Sequence, residues 1–101
     1  MELKLKFIHG FSNKTRLQIL ESLKDKEKTV THIVEELKGN QSNISQHIAC
    51  LRDCGLIKGR QEGKYIYYSL TNEKIKDLLN MFDIVLEDVK AGVASCRNHI
   101  D

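Results

Sequence analysis

Apolar residues recur every three or four positions through the first half of the chain, which is the spacing of amphipathic helices. Leu3, Phe7 and Phe11 form one such stripe and predict a first helix over about 3–11. Ser12-Asn13 is a helix-start signal. The segment KTRLQILESLK that follows predicts a second helix, whose inward residues would be Leu17, Ile19, Leu20 and Leu23.

Two further helices are predicted on either side of a short polar break. Thr31 is the expected cap of the third helix, with inward residues Ile33, Val34 and Leu37. The segment KGN interrupts the pattern, and Asn40 is the expected cap of a fourth helix from Gln41 to about Asp53. Gly55 suits the left-handed residue that ends this helix.

The period changes after Gly55. The segment LIKGRQEGKYIYYSL predicts two strands around a Glu62-Gly63 turn, a hairpin over about 56–70 that we call the wing. Helical spacing returns over about 72–96, where Ile75, Phe82, Val89 and Cys96 repeat every seven residues, as in a helix-to-helix seam. Helix, break, helix and hairpin is the order of a winged helix-turn-helix. The predicted fold class is therefore α+β, mostly helical, with one winged helix-turn-helix domain over 1–101 and a long C-terminal dimerisation helix.

Composition describes a soluble globular domain, and its net charge is too small to indicate a nucleic-acid partner by itself. A chain of 101 residues is one domain by size. It has no apolar run that could span a membrane and no secretory signal, so we expect a cytoplasmic protein with reduced thiols. The net charge is only +2, but residues 1–70 carry 12 Lys and Arg against 8 Asp and Glu. Positive charge is thus concentrated where the helices and the wing are predicted.

The fourth predicted helix has an outer face that could read DNA. With Ile44, Ile48, Leu51 and Gly55 turned inward, the opposite side carries Ser42, Ser45, Gln46, Ala49 and Asp53. Small hydrogen-bonding side chains of this kind fit a major groove, and cations on the wing could contact phosphates. The candidate DNA-binding residues are Gln41, Ser42, Asn43, Ser45, Gln46, His47, Arg60 and Lys64.

Cys50 and Cys54 lie four residues apart on one flank of the same helix. This spacing stacks two side chains, so both sulfurs can reach one ion. They could instead be small core residues, or redox-active thiols that pair with Cys96, whereas a disulfide between them within one helix has poor geometry. A metal site needs at least three donors, and Cys96 is the remaining cysteine. Three thiolates would suit soft ions such as Cd(II), Pb(II) or As(III).

Several motifs together resemble the ArsR/SmtB family of metal-responsive repressors. They are NKTRLQILESL, GNQSNISQHIACLRDCGLI and EGKYIYYSL, which cover roughly residues 3–96. The chain departs from the family in having Asn13-Lys14 where Asp-Pro is frequent. The resemblance implies a homodimer, paired through its first and last helices, that binds palindromic operator DNA and releases it when an inducer binds.

The pattern CLRDCG with one more cysteine near the C-terminus resembles the CmtR-type cadmium and lead sensors of that family. This resemblance implies Cys50, Cys54 and Cys96 as ligands of Cd(II) or Pb(II), with Zn(II) and As(III) as further candidates, and no prosthetic group. Two alternatives stay open: a repressor of the same fold that responds to thiol oxidation or As(III), and a winged-helix DNA-binding module with no inducer. The sequence has no readable nucleophile-base pair, carboxylate dyad or phosphate-binding glycine loop, so we expect no enzyme.

Overall fold

The computed structural model describes residues 1–94, and the predicted ligand Cys96 lies outside this range. Five helices and one two-stranded antiparallel sheet follow in the order α1 (Glu2–His9), α2 (Lys14–Ser22), α3 (Val30–Leu37), α4 (Gln41–Asp53), β1 (Ile57–Glu62), β2 (Tyr65–Leu70) and α5 (Glu73–Ala94). The predicted fold class is confirmed. No helix within residues 1–94 is long and apolar enough to cross a membrane.

Helix α1 is shorter than predicted. It ends at His9, so Phe11 lies beyond it in the connection to α2, and the helix itself has no buried residue. Phe11 is buried and packs edge-on against Phe7 and against Phe82 of α5, each at a centroid distance of 5.3 Å. One aromatic side chain thus joins the first and last helices of the protomer.

The start of α3 corrects a prediction. The cap is Thr29 rather than Thr31, and the Thr29 hydroxyl accepts the backbone N–H of His32 at 3.2 Å. Lys28, just before it, pairs with Tyr68 of the wing through backbone hydrogen bonds of 3.0 and 2.8 Å. Because this long-range bridge keeps Lys28 extended, the helix can begin directly after Thr29.

Local signals fix both ends of α4 as predicted. The Asn40 side chain accepts the backbone N–H of Asn43 at 3.0 Å and caps the start. At the other end Gly55 has φ +78°, and the N–H groups of Gly55 and Leu56 bond back to Arg52 and Leu51, each at 3.0 Å. This paired return is a Schellman motif, which requires a left-handed residue.

The core lies where α4 packs against α2 and α3. From α4 it receives Ile44, Ile48 and Leu51, as predicted, whereas Gly55 lies beyond the helix end and is exposed. The other elements contribute Phe11, Ile19, Leu20, Leu23, Ile33, Leu56, Ile57, Tyr68, Ile75 and Leu79.

The wing is a hairpin with a two-residue connection. Glu62 pairs with Tyr65, so the turn consists of Gly63, with φ +62°, and Lys64 rather than the predicted Glu62-Gly63. The turn lies one residue later because Glu62 still belongs to the ladder.

Helix α5 leaves the core soon after it begins. The Asn72 side chain caps its first turn, and Ile75 and Leu79 are buried. Beyond them a row of large apolar side chains is exposed in the single chain: Met81, Phe82, Ile84, Val85, Leu86, Val89 and Val93.

Candidate nucleic-acid interface and thiol pair

The outer face of α4 is polar and unoccupied by the rest of the protein. All five candidates at its start are exposed: Gln41, Ser42, Asn43, Ser45 and Gln46. Within residues 1–94 their side chains make no hydrogen bond to another protein group. Amide and hydroxyl groups in this state can bond to base edges. The buried inner face holds the helix in a fixed rotational setting, so these groups face outward together.

The wing candidates differ in how far they are engaged. The Arg60 Nε donates to Glu27 at 3.3 Å, its Nη1 donates to Glu62 at 3.0 Å, and its guanidinium lies 5.2 Å from the centroid of the Tyr67 ring. The hydrogen bonds that Arg60 donates to Glu27 and then to Glu62 raise the pKa of Arg60 above its usual value, and the bond from Arg60 lowers the pKa of Glu27. Lys64 lies 5.6 Å from the Tyr65 ring centroid at the wing tip. The two carboxylates thus engage three of the five guanidinium donors of Arg60 and offset its positive charge toward phosphate.

His47 is half-buried and contacts a residue that sequence reasoning missed. Its Nδ1 lies 3.5 Å from Nη1 of Arg16, in the first turn of α2. Arg16 is itself only 8% exposed. The signal that could have found it is helical spacing, because Arg16 precedes the inward residues Ile19, Leu20 and Leu23 by three, four and seven positions.

Cys50 and Cys54 lie as the helical wheel predicts, both half-buried on one flank of α4. The Cys54 N–H bonds to the Cys50 carbonyl at 3.0 Å, so the two residues are one helical turn apart. The end of α1 packs beside them: a Cβ atom on Gly10 would lie 3.6 Å from that of Cys54. The thiol pair therefore lies at the junction of the end of α4 with α1.

Burial, followed by the charge and hydrogen bond of Cys50, raises the pKa of the Cys54 thiol. The positive charges of Lys6 and Arg16 act in the opposite direction.

A metal ion bound here would displace thiol protons. Two soft donors on one flank fit part of a thiophilic site. Among the described residues, however, no group of three or more His, Cys, Asp or Glu could hold an ion. A complete site needs a donor from beyond residue 94 or from another chain.

A groove of about 950 Å³ runs between α1, α2 and α5. Its apolar lining comes from Ile8, Phe11, Leu17, Leu37, Phe82 and Leu86. It continues the exposed apolar row of α5.

Comparisons with known proteins agree with this geometry. A family model described as "Bacterial regulatory protein, arsR family" matches residues 13–58. The chain is 30% identical over 91 residues to the probable mercury resistance operon repressor of Streptomyces lividans. The alignment covers 90% of this chain and 73% of that protein. It is 35% identical over 74 residues to the transcriptional activator HlyU of Vibrio cholerae. That alignment covers 73% of this chain and 68% of HlyU.

The fold agrees as well. The solution structure of the homodimeric winged helix-turn-helix DNA-binding domain of Mb0332 from Mycobacterium bovis has a TM-score of 0.80 at 25% identity, covering 99% of this chain and 89% of that domain. The predicted family resemblance is thereby confirmed. The chain belongs to the ArsR family of bacterial regulatory proteins and is a winged-helix transcriptional regulator.

Proposed function

We propose that this chain is a homodimeric repressor that binds operator DNA when metal-free and releases it when a thiophilic metal ion binds. The observation that carries the proposal is the position of Cys50 and Cys54, on the flank of the same helix whose outer face is free to read bases. A ligand held on that flank acts directly on the DNA-reading element.

The exposed apolar surface supports the homodimer. In the single chain Phe82, Val85 and Val89 of α5 are each more than two-fifths exposed, as are Leu3 and Leu5 of α1. Exposed apolar groups in this number mark a protein-protein interface. A second copy that covers α1 and α5 would bury them, and the homodimeric relative offers a precedent. A two-fold dimer presents two α4 helices to a palindromic operator.

Cys50, Cys54 and Cys96 are the proposed ligands, and Cd(II) or Pb(II) the proposed inducer. Soft divalent ions favour thiolate ligands, so a bound ion would link the three sulfur atoms. The chain itself supplies Cys50 in the last turn of α4 and Cys54 at its C-cap, and the sequence places the third thiol two residues after the last described residue of α5. A tie between these elements changes how α4 is held relative to the dimer axis.

The required coupling is small. Loss of operator affinity by tenfold to a hundredfold corresponds to about 1.4–3 kcal/mol of coupling free energy between the metal and DNA sites. Linkage is reciprocal, so operator DNA lowers the affinity for metal by the same factor.

Oxidation of the thiols is the alternative function. The raised pKa of Cys54 does not separate the two functions, because the thiolate is both the reactive form of cysteine and the metal ligand. A repressor controlled by oxidation would release the operator in mild oxidant without any metal, so the same binding assay separates the two functions.

The test combines metal binding and DNA binding. Reduced protein is titrated with Cd(II) while the ultraviolet thiolate-to-metal absorption is recorded for the native chain and for Cys54→Ser and Cys96→Ser. Operator duplexes, selected from a random pool by the metal-free protein, are then titrated with and without Cd(II) by fluorescence anisotropy. We expect one ion per protomer, weaker absorption in both variants, and loss of operator affinity only in the native chain. Equal absorption in all three proteins, or operator affinity that ignores Cd(II), would refute the metal function.

A further inference from the structure

Arg16 is a buried cation at the centre of three elements. It lies in the first turn of α2, and its backbone N–H bonds to the cap Asn13 at 3.0 Å. Its Nε donates to the carbonyl of Gly10 at 3.3 Å and its Nη2 to that of His9 at 2.9 Å. These carbonyls belong to the end of α1, where the helix dipole is negative. The remaining nitrogen, Nη1, faces His47 of α4.

The charge of Arg16 has no carboxylate partner in the part of the chain that the structure describes. Burying an arginine without a counter-ion is costly unless its donors have fixed acceptors. Two carbonyls of α1 and the ring of His47 are those acceptors. The guanidinium is planar and presents its donors in a rigid fork, so its contacts with α1 fix the direction of Nη1.

A hydrogen bond at this contact requires one placement of the His47 proton. A guanidinium only donates hydrogen bonds and never accepts them. For Nη1 to donate to Nδ1, the hydrogen of the imidazole has to be on Nε2. The tautomer of a histidine is set by the hydrogen bond that its other nitrogen makes.

We propose that Arg16 is a positioning residue for DNA binding: it holds the half-buried His47 ring as the Nε2–H tautomer, so that this N–H serves as a donor to an acceptor atom of the nucleic acid. The inference rests on the proposed function, because it assumes that α4 reads DNA. His47 follows the exposed Gln46 and precedes Cys50 by three residues. Its half-buried ring therefore lies on α4 between the exposed polar face and the side that carries Cys50. The acceptor is a phosphate oxygen or a base-edge atom.

The first arm of the test needs neither metal nor DNA. Nitrogen NMR shifts of the His47 ring are recorded for the native chain, Arg16→Gln and Lys14→Gln. Lys14 is the matched control, since it is an exposed cation in the same helical turn. We expect a predominant Nε2–H form in the native chain and in Lys14→Gln, and a mixture in Arg16→Gln. A predominant Nδ1–H form in the native chain overturns the proposal.

The second arm measures operator affinity in a double-mutant cycle. His47→Ala should weaken binding about tenfold, the effect of a charge-assisted hydrogen bond. Arg16→Gln should weaken it by a similar factor, and the double variant should be within about twofold of His47→Ala alone. Lys14→Gln should have the same effect with and without His47. Additive losses from Arg16→Gln and His47→Ala would show that Arg16 acts on operator binding independently of His47 and would overturn the proposal.

Two further variants keep the proposal testable if Arg16→Gln fails to fold. The side-chain amide N–H of Gln reaches the position of Nε2–H, whereas that of Asn corresponds to Nδ1–H. His47→Gln should retain operator affinity within about threefold, and His47→Asn should lose about as much as His47→Ala. The reverse order overturns the inference.

A comparison of matched duplexes, one with a neutral phosphate analogue and one with a changed base, then identifies the acceptor. A chain that responds to Cd(II) but shows the wrong tautomer overturns this inference alone, and a chain that binds no operator overturns the proposed function together with the DNA role of His47.

Discussion

Replacing Gly10 by alanine tests the contact between the end of α1 and the segment that follows α4. Gly10 has φ −58° and ψ −24°, so alanine meets no backbone strain there. The added Cβ atom, however, would lie 2.4 Å from Cδ1 of Leu56, where ordinary contact begins at 3.4 Å. Leu56 is fully buried directly after α4 and cannot turn into solvent. Either α1 or the start of the wing must therefore shift.

The magnitude follows from two opposing effects. Overpacking a filled core costs about 1–3 kcal/mol. Against this, replacing glycine by alanine at a compatible backbone position stabilises by about 0.4–1 kcal/mol, because it restricts the unfolded chain. The net expectation is a loss of about 1–2 kcal/mol in the free energy of unfolding. In a domain of this size each kcal/mol lowers the melting temperature by about 4–8 °C.

The assay is thermal unfolding followed by circular dichroism at one fixed protein concentration, because the stability of a dimer depends on concentration. Gly92→Ala is the matched control, since a Cβ atom there meets no heavy atom of residues 1–94 of its own protomer within 4 Å, and it should not lower the melting temperature. Leu56→Val removes the obstructing Cδ1 atom, so Gly10→Ala should cost less in that background. A Gly10→Ala variant that melts at or above the native temperature would refute the steric argument.

Three further predictions concern the wing, the cap of α4 and the dimer. Glu27→Gln removes a carboxylate partner of Arg60, so operator binding should tighten at low salt and its logarithmic salt slope should steepen by about 0.9; an unchanged slope would show that release of Arg60 from Glu27 adds no phosphate contact. Asn40→Ala should lower the free energy of unfolding by about 1 kcal/mol in a denaturant titration, whereas Asn43→Ala, which removes an exposed side chain with no hydrogen bond within residues 1–94, should not. Val85→Glu places a charge in the exposed apolar row of α5 and should give a monomer in light scattering; a persistent dimer would exclude this face from the interface.

The ends of α4 could be predicted because their signals are local. The Asn40 cap acts over three residues, and the left-handed Gly55 ends the helix through bonds to its own last turn. The flank position of Cys50 and Cys54 follows from the helical period alone. Each of these features depends only on residues a few positions away, so the sequence contains the whole cause.

The errors and omissions have a different cause. The start of α3 depends on the bridge between Lys28 and Tyr68, which are 40 positions apart in the chain. The carboxylate partner of Arg60 is 33 positions away, and Arg16 and His47 are 31 positions apart. Helical spacing could place Arg16 inward, but only tertiary structure supplies the carbonyls and the ring that make a buried guanidinium tolerable there.

The packing of α4 restricts how a ligand on its flank can act. Ile44, Ile48 and Leu51 are at most 2% exposed, so rotation of α4 within its protomer would have to repack a close-packed core. Helix α1 is not packed into the core in this way, because none of its own residues is buried. Its end contacts the rest of the protomer through Gly10, Phe11 and the hydrogen bonds that Arg16 donates. A metal ion at Cys50 and Cys54 would therefore act by changing how the rigid body of α2, α3 and α4 is held against α1 and α5. In the proposed dimer that change alters the distance between the two α4 helices and leaves the reading face of each one intact.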